Sequence, residues 1–283
     1  MKRLRGIIIA FLLLAVGVAR AQDGSTQIPL SAFSKIVTNG CVQLVIVPSQ
    51  SNYSMSVECF GVKENGYKYK VRKEVLYISV PTGVFSSDGY VRVLVSSPSL
   101  NALEVDGAEI QTTGPIKGES FSLRASGLVN SANLAVDVTN LKVDIGGNSD
   151  IAISGNAESA HFSAQLGSRI NAISLAADTL WVRANEGSEI YLNAQHFLYA
   201  KAATGGTIYY KPNEETKVYT KKRTAGSIRA ITRAVAGFTL DSNGSLEVKQ
   251  EDIDKLAEAD KEIPVVKEES VKQVEDSEEE DFF

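Results

Sequence analysis

Three acidic residues recur at a spacing that a stacked fold would turn into a row of carboxylates. Asp137, Glu158 and Asp178 follow one another at intervals of twenty-one and twenty positions. Polysaccharide lyases and glycosidases need such groups, because paired carboxylates, or acids beside Lys or Arg, act on the glycosidic bond. However, these acids precede the next apolar triplets by four, four and two positions, so they do not hold one column. We therefore interpret them as solvated turn residues and predict no catalytic residue.

Other chemistries also lack their residue patterns. The two histidines, His161 and His196, are far apart in the chain, and neither has the short spacing of metal ligands on one element. The segment GGNSD at 146–150 resembles one unit of a calcium-binding repeat, but the motif is not sustained. The G-x-S-x-G turn that exposes a nucleophilic serine is absent from the sequence. The sequence thus predicts neither a metal site nor a cofactor.

The elements that would position these residues repeat with a period of about twenty positions. The segment NEGSEI at 185–190 has counterparts throughout the middle of the chain, and a glycine recurs in them at 107, 127, 147, 167, 187, 205 and 226. Alternating apolar triplets form a second column, beginning at positions 121, 141, 162, 180 and 198. Fixed periods of this length indicate stacked units, and residues that alternate inward and outward indicate β-strands.

The repeat predicts an all-β parallel β-helix over residues 31–228. A leucine-rich repeat is excluded because its L-x-x-L-x-L spacing is not kept. Each glycine would turn the chain at a corner, and Leu141, Phe162 and Leu180 would share one vertical file of the core. Trp181, the single tryptophan, would point outward, and we interpret it as an isolated surface residue rather than part of a contact patch.

The segment before the repeat, residues 30–100, also alternates like β structure but does not show the period of the coils. We expect antiparallel strands that cap the solenoid, because terminal units must shield the open end. A hairpin pairing Val47 with Tyr53 would place Cys41 opposite Cys59, and a slip of one residue matches the apolar faces better. The sequence leaves the bridge open, since the buried face sets the register.

The two ends of the chain have their own compositions. Residues 1–21 combine basic residues, an apolar run and small residues at the cleavage position, which predicts a secretory signal peptide and a mature start at Gln22. Residues 229–283 are predicted to form a short helix, at 246–264, and a disordered acidic tail. Sixteen acidic and five basic residues lie in 241–283, although the whole chain has a net charge of −5.

Several β-rich segments of the chain carry a family resemblance. The chain contains FSKIVTNGCVQLVIVPSQSNYSMSVE, then LYISV and VRVLVSSPSLNALEVDGAEI, and continues into glycine-spaced coils. Over roughly residues 31–212 it resembles the head GIN domain family, a family of auto-transporter adhesins common in Bacteroidetes. The resemblance implies a right-handed β-helix-like domain in the periplasm or on the outer surface of a Gram-negative cell.

We therefore expect an exported, non-enzymatic adhesin or envelope-associated module. Asn148, Ser149, Asp150 and Asn171 would present hydrogen-bonding groups to a surface glycan or protein. The alternative is a carbohydrate-active enzyme, a polysaccharide lyase or glycosidase. The basic segment 217–233 is interpreted either as a solvated end face or as a site for an acidic surface, a sulfated glycan or the chain's own tail. Exposed end strands would allow a homo-oligomer, the mature chain would have no transmembrane segment, and a sequence pI near 5.3 argues against nucleic acid.

Overall fold

A computed structural model describes residues 27–62, 66–81, 85–213, 215–231, 239–240 and 246–247. Every regular element among these residues is a β-strand, and 17 strands form one continuous sheet. The strands that precede the repeat are β1 (Ile28–Pro29), β2 (Lys35–Asn39), β3 (Gln43–Pro48), β4 (Ser54–Val62), β5 (Lys68–Arg72), β6 (Val75–Ser79) and β7 (Phe85–Ser97). The chain is therefore all-β over the described residues, as predicted.

The repeat forms the predicted β-solenoid, with coils stacked in parallel. Long strands run through each coil, and successive strands match residue for residue over most of their length. The strands are β8 (Ala102–Asp106), β9 (Glu109–Thr112), β10 (Ile116–Ser126), β11 (Asn130–Ile145), β12 (Asp150–Ala164), β13 (Arg169–Ala184), β14 (Glu189–Ala202), β15 (Thr207–Lys211), β16 (Lys217–Lys222) and β17 (Ser227–Ala230). A separate pair is formed by β18 (Thr239–Leu240) and β19 (Leu246–Glu247).

Two walls of this solenoid matter for the candidate sites. In the first wall, the C-terminal halves of β10 to β14 stack in order and β16 follows β14. In the second wall, β9 is followed by the N-terminal ends of β11 to β14, then by β15 and β17. Register shifts within the long strands separate the two walls. Each long strand thus contributes one outward face to each of these two walls.

The N-terminal strands both extend and cap the column. The predicted antiparallel pairs exist between β1 and β4, between β4 and β7, and between β5 and β6. However, β2 pairs in parallel with β6 and β8, and β3 pairs in parallel with β7 and β9. The first coil of the sequence therefore lies inside the column, and the chain then returns to build the coil that covers it.

This order rules out the hairpin considered for the cysteines. Strand β7 lies between β3 and β4, so the segments that carry Cys41 and Cys59 are not neighbours. Two strand spacings amount to about 9.5 Å, which exceeds the Cα separation of about 7 Å that a disulfide tolerates. Both cysteines are free and exposed.

The core differs from the prediction by a shift of two residues in one coil. Leu141 lies opposite Ala160, which lies opposite Leu180, whereas Phe162 stacks between Val143 and Val182 in the adjacent file. All belong to one hydrophobic core, so the single core was predicted correctly and the vertical file was wrong. Packing explains the shift, because a close-packed interior fits the largest ring where small side chains flank it.

Serine hydroxyls close the corners between consecutive coils. The Oγ of Ser188 donates to the carbonyl oxygen of Ala164 at 2.8 Å and accepts from the backbone nitrogen of Asn185 at 3.0 Å. Ser149 and Ser168 occupy the same corner on the two preceding coils and also donate to backbone carbonyls. All three serines are buried, so they hold the corners together and are not presented to solvent.

The glycine column is not a single structural position. In the turn before β14, Glu186 and Gly187 have φ angles of 53° and 72°, a pair of left-handed residues as in a type I′ turn. The second of these two left-handed residues is Asn148 in an earlier coil and Ala225 in the last coil, and both have a φ of 61°. Gly147 therefore lies one residue before this second position of the turn, and Gly226 lies one residue after it.

The two ends of the chain are described only in small part. The signal peptide at 1–21 and most of the acidic tail lie outside the described residues. Of the predicted helix at 246–264, only Leu246 and Glu247 are described, and they form β19 rather than a helix. No helix in the described parts of the chain is long and apolar enough to cross a membrane.

Candidate binding faces

The three acids of the sequence analysis line one shallow depression beside the first wall. Ala157 matches Ala177 and Ser159 matches Thr179, so the residues between these pairs, Glu158 and Asp178, face each other on adjacent coils. The three acids do not hold one column, as predicted, but Glu158 and Asp178 do share one. Asp137 lines the same depression but matches Asn156 rather than Glu158. Counting from apolar triplets missed this because β12 is shifted by two residues.

The surroundings of these carboxylates are open, and two of the three acids already have a basic side chain beside them. Asp137 lies 3.5 Å from the Nζ of Lys117, and Asp178 lies 3.4 Å from the Nδ1 of His196. The side chain of Asp178 is 63% exposed, so it lacks the apolar enclosure that prepares a carboxyl group for proton transfer. Within the described residues, no group of three His, Cys, Asp or Glu side chains is placed to hold a metal ion.

The polar residues predicted to present ligand-binding groups lie at or near the second wall, and they are largely engaged with the protein itself. Ser149 is buried at its corner, which corrects its assignment as a presented group. Asp150 lies 3.4 Å from Nη1 of Arg169, whose Nε lies 3.3 Å from Glu189. The backbone nitrogen of Ile173 donates to the side chain of Asn171 at 3.4 Å.

The same network alters two ionisable groups. Burial raises the pKa of Asp150, and the charge of Glu189 acts in the same direction while that of Arg169 opposes it. The hydroxyl of Tyr191 donates to Glu189 at 3.2 Å, and burial followed by the charge of Glu189 raises the pKa of Tyr191. Tyr191 also stacks on Tyr209, with ring centroids 4.7 Å apart. The charged side chains of this network are thus paired with one another.

The first wall has a different outer surface, on which four rings stack in one row. Their centroids are separated by 4.4 Å between His161 and Trp181, 5.7 Å between Trp181 and Tyr199, and 4.9 Å between Tyr199 and Tyr219. The planes of successive rings differ by no more than 11°. The strand register produces this row, because each ring lies directly opposite the next across neighbouring strands. Trp181 points outward as predicted, but it is not isolated.

Cations flank the row on both sides. On one side, Arg183 matches Lys201, which matches Lys221. On the other side, the Nζ of Lys217 lies 5.5 Å from the ring centroid of Phe197, within cation–π distance. When the amide of Asn185 is oriented with its oxygen toward Arg183, the Nε of Arg183 donates to it at 2.9 Å.

We call this surface the aromatic–basic face. It comprises three outward residues on each of four neighbouring strands, β12, β13, β14 and β16. They are Ser159, His161, Ser163, Thr179, Trp181, Arg183, Phe197, Tyr199, Lys201, Lys217, Tyr219 and Lys221. None of these twelve residues is acidic. Strand geometry makes the face about 13 Å wide and about 14 Å long.

The crowding of positive charge on this face affects Lys201. Burial lowers the pKa of Lys201, and the charges of Arg183, Arg223 and Lys221 lower it further. A partly shielded ammonium group among like charges is stabilised by an anion that approaches it. The face is therefore suited to a negatively charged ligand.

Sequence reasoning found only one edge of this face, within the basic segment 217–233, and it missed the aromatic row, although a signal for that row existed. His161, Trp181, Tyr199 and Tyr219 follow one another at intervals of twenty, eighteen and twenty positions, and the apolar triplets beside them contain the same shorter step. The prediction aligned only the inward residues of those triplets, and the outward residues between them were not compared from coil to coil. A column of unlike residue types, one imidazole, one indole and two phenols, becomes visible only when the strand register is known.

Comparison with known proteins identifies the family and the fold. Residues 32–213 match the family described as "Putative auto-transporter adhesin, head GIN domain". No protein of curated function matches the sequence. The similarity to solved structures is in the fold, since the sequence identities are low.

Three solved structures share the solenoid. A protein from Bacteroides fragilis described as a putative adhesin has a TM-score of 0.59 and 20% identity, covering 73% of this chain and 96% of that chain. One from Parabacteroides distasonis, described as a putative lipid binding protein, has a TM-score of 0.55 and 16% identity, with coverages of 74% and 96%. One from Parabacteroides merdae, described as a putative adhesin, has a TM-score of 0.51 and 21% identity, with coverages of 74% and 95%.

Proposed function

The chain belongs to the head GIN domain family, and we propose that it is a non-enzymatic binding module that holds its ligand on the aromatic–basic face. An adhesin-like role is supported by the family and by neighbours described as adhesins. The ligand in this proposal is a surface glycan. The protein is exported by the signal peptide predicted at residues 1–21 and acts in the periplasm or at the cell surface.

One observation carries the proposal, which is the stacked row from His161 to Tyr219. Stacking fixes the position of each ring before any ligand arrives, because neighbouring rings restrain one another. Rigid aromatic side chains lose little conformational entropy on binding. A flat, preformed surface of this kind favours an extended ligand that lies along the solenoid.

The depression lined by Asp137, Glu158 and Asp178 supports an enzymatic role less well. Glycosidases hold one carboxyl group as an acid, with its pKa raised, next to a second carboxylate at the scissile bond. Here Asp137 and Asp178 are exposed to water and lie beside Lys117 and His196. We therefore propose recognition without turnover at this protein's surface.

A glycan array with the purified protein tests the proposal. We expect Trp181→Ala, which removes the central ring of the row, to weaken glycan binding at least tenfold. Tyr209→Ala is the matched control, because it removes a stacked tyrosine from the second wall of the same coils and should leave binding unchanged. Equal losses in both variants, or no binding to any glycan, would contradict the proposal.

A second measurement separates binding from catalysis. Any polysaccharide bound on the array is incubated with the protein, and reducing-end release is followed by a colorimetric assay. We expect no turnover above the rate of the triple variant Asp137→Asn, Glu158→Gln, Asp178→Asn. Turnover by the native chain that this triple variant loses would instead establish the depression as an active site.

A further inference from the structure

The stacked row presents the edges of its rings to the solvent. Trp181 and Tyr199 each lie between two other rings, at centroid distances of 4.4 to 5.7 Å, so both of their faces are covered. A ligand reaching the row from solvent therefore meets ring edges, which carry the positive part of the aromatic quadrupole. The indole N–H and the phenolic hydroxyls also lie at these edges and can donate hydrogen bonds.

The flanking residues reinforce this preference for negative charge. Arg183, Lys201 and Lys221 form a column beside the rings, and Lys217 lies over Phe197 on the other side. The mutual repulsion of these cations is relieved when an anion neutralises them. Successive cations of the column lie about 4.8 Å apart, because each is on the next coil. Evenly spaced cations match a polymer that carries evenly spaced anions.

We infer that the aromatic–basic face binds acidic polysaccharide, a glycan chain bearing carboxylate or sulfate groups along its length. This inference rests on the proposed function and adds the chemical class of the ligand. Arg183, Lys201 and Lys217 neutralise the anionic groups, and Arg183 suits them especially because its guanidinium has parallel donors. Ser159, Ser163 and Thr179 supply hydroxyl partners for the hydroxyl groups of the sugar rings.

Single-stranded nucleic acid fits the same face less well. Proteins that bind it generally offer aromatic faces on which successive bases stack. In this row the faces of Trp181 and Tyr199 are covered by neighbouring rings, so they cannot serve as stacking platforms. The positive charge alone would then have to supply the affinity.

The test uses two pairs of polymers, each with the same sugar backbone, of which one carries anionic groups and the other is neutral. Dextran is compared with dextran sulfate, and polygalacturonate is compared with its methyl ester, by calorimetry or biolayer interferometry with the native chain. We expect binding to dextran sulfate, to polygalacturonate or to both, at least tenfold tighter than to the neutral partner. Binding should weaken as NaCl is raised from 50 to 300 mM, since salt screens exposed charges (the Debye length is about 8 Å at physiological ionic strength).

Charge variants locate the site. The double variant Arg183→Gln, Lys201→Gln should bind the preferred acidic polymer at least tenfold more weakly. Lys117→Gln, which removes a cation beside Asp137 outside the face, should bind as the native chain does. Thermal melting of each variant checks that the fold is retained, and these surface substitutions should shift it little.

The possible outcomes distinguish this inference from the proposed function. Equal binding of neutral and acidic polymers, lost in Trp181→Ala, would overturn the acidic ligand but keep glycan binding on this face. Equal weakening by Lys117→Gln would show diffuse charge attraction and overturn the site. A single-stranded oligonucleotide, or a peptide of residues 265–283, that bound more tightly than either acidic polymer would assign the face to nucleic acid or to the chain's own tail. Binding of none of these polymers would contradict the acidic ligand, whereas the proposed function fails only if the glycan array also shows no binding.

Discussion

Trp181 and Tyr199 stack with their ring centroids 5.7 Å apart and their planes within 8° of each other, although they are distant in the sequence. The contact follows from the strand register, in which Trp181 lies directly opposite Tyr199 on the next coil. A solenoid therefore converts a sequence period into a row of equivalent surface positions. The outer surface is as strictly aligned as the core.

This stacking should contribute measurable stability. Trp181→Ala removes two ring contacts, and each such pair is worth about 0.5–1.5 kcal/mol beyond simple burial. We therefore expect the free energy of unfolding to fall by about 1–3 kcal/mol, measured by urea denaturation.

A double-mutant cycle isolates the contact between neighbours. Trp181→Ala combined with Tyr199→Ala should show a coupling energy of about 0.5–1.5 kcal/mol. The cycle of Trp181→Ala with Tyr209→Ala serves as the control and should show additive losses. Additivity in both cycles would mean that the row is an alignment without energetic consequence.

The core register gives a second prediction. Phe162 is fully buried between Val143 and Val182, so Phe162→Ala should lower the free energy of unfolding by about 3–5 kcal/mol. A milder variant, Phe162→Leu, should lose less. Chemical denaturation of both variants gives the comparison.

Coupling energies also test which file holds the phenylalanine. Phe162→Leu should couple to Val143→Ala more strongly than to Leu141→Ala, because Val143 is its direct neighbour on the preceding coil. The opposite order would restore the file predicted from the sequence, in which Phe162 follows Leu141.

The difference between these two files shows what the sequence could and could not predict. The period and the alternation were enough to predict a solenoid with one core. They were not enough to choose between Ala160-Phe162-Ala164 and Phe162-Ala164-Leu166 as the inward triplet. Leu166 looks like a core residue, but it lies in a turn with a φ of 55° and is 56% exposed. Alanine is ambiguous in any pattern, because it is common both inside and outside proteins.

The candidate sites were harder to predict for a related reason. The polar residues singled out from composition, such as Ser149 and Asp150, satisfy one another or the backbone. The aromatic–basic face depends on matching residues of successive coils to within a single position. A slip of one residue in a strand exchanges the inward and outward faces. Surface chemistry therefore requires the register that only the structure supplies.

The corner residues give a third prediction, in which exchanging Ser and Gly has unequal effects. At Gly206, the corner equivalent to Ser188 on the next coil, an added Cβ would lie 2.3 Å from the carbonyl oxygen of Ala184. Gly206→Ser should therefore displace the backbone and lower the melting temperature markedly. Gly205→Asn, which places a residue tolerant of positive φ at a site with a φ of 77°, is the milder neighbouring change.

The reverse exchange has a smaller expected cost. Ser188→Gly removes a hydroxyl that bonds to Ala164 and Asn185, and loss of buried hydrogen bonds costs about 1–3 kcal/mol. Calorimetric melting of both variants tests the order. A Gly206→Ser protein as stable as the native chain would show that the corner can widen to accept a side chain.

The last prediction concerns the protonation of His161 at the end of the aromatic row. Burial against the row lowers the pKa of His161, and the charge of Lys142 lowers it further while Asp144 opposes the shift. The folded protein therefore favours neutral imidazole. The stability that this preference contributes is complete above the unfolded pKa of about 6.5 and is lost as the pH falls through the folded value.

The sequence has two histidines, so His196→Gln leaves one imidazole to follow by NMR. We expect this imidazole to titrate below pH 6.5, and the added substitution Lys142→Gln to raise its midpoint. A midpoint at or above 6.5 in the His196→Gln variant with Lys142 intact would mean that neither burial nor Lys142 governs this ring.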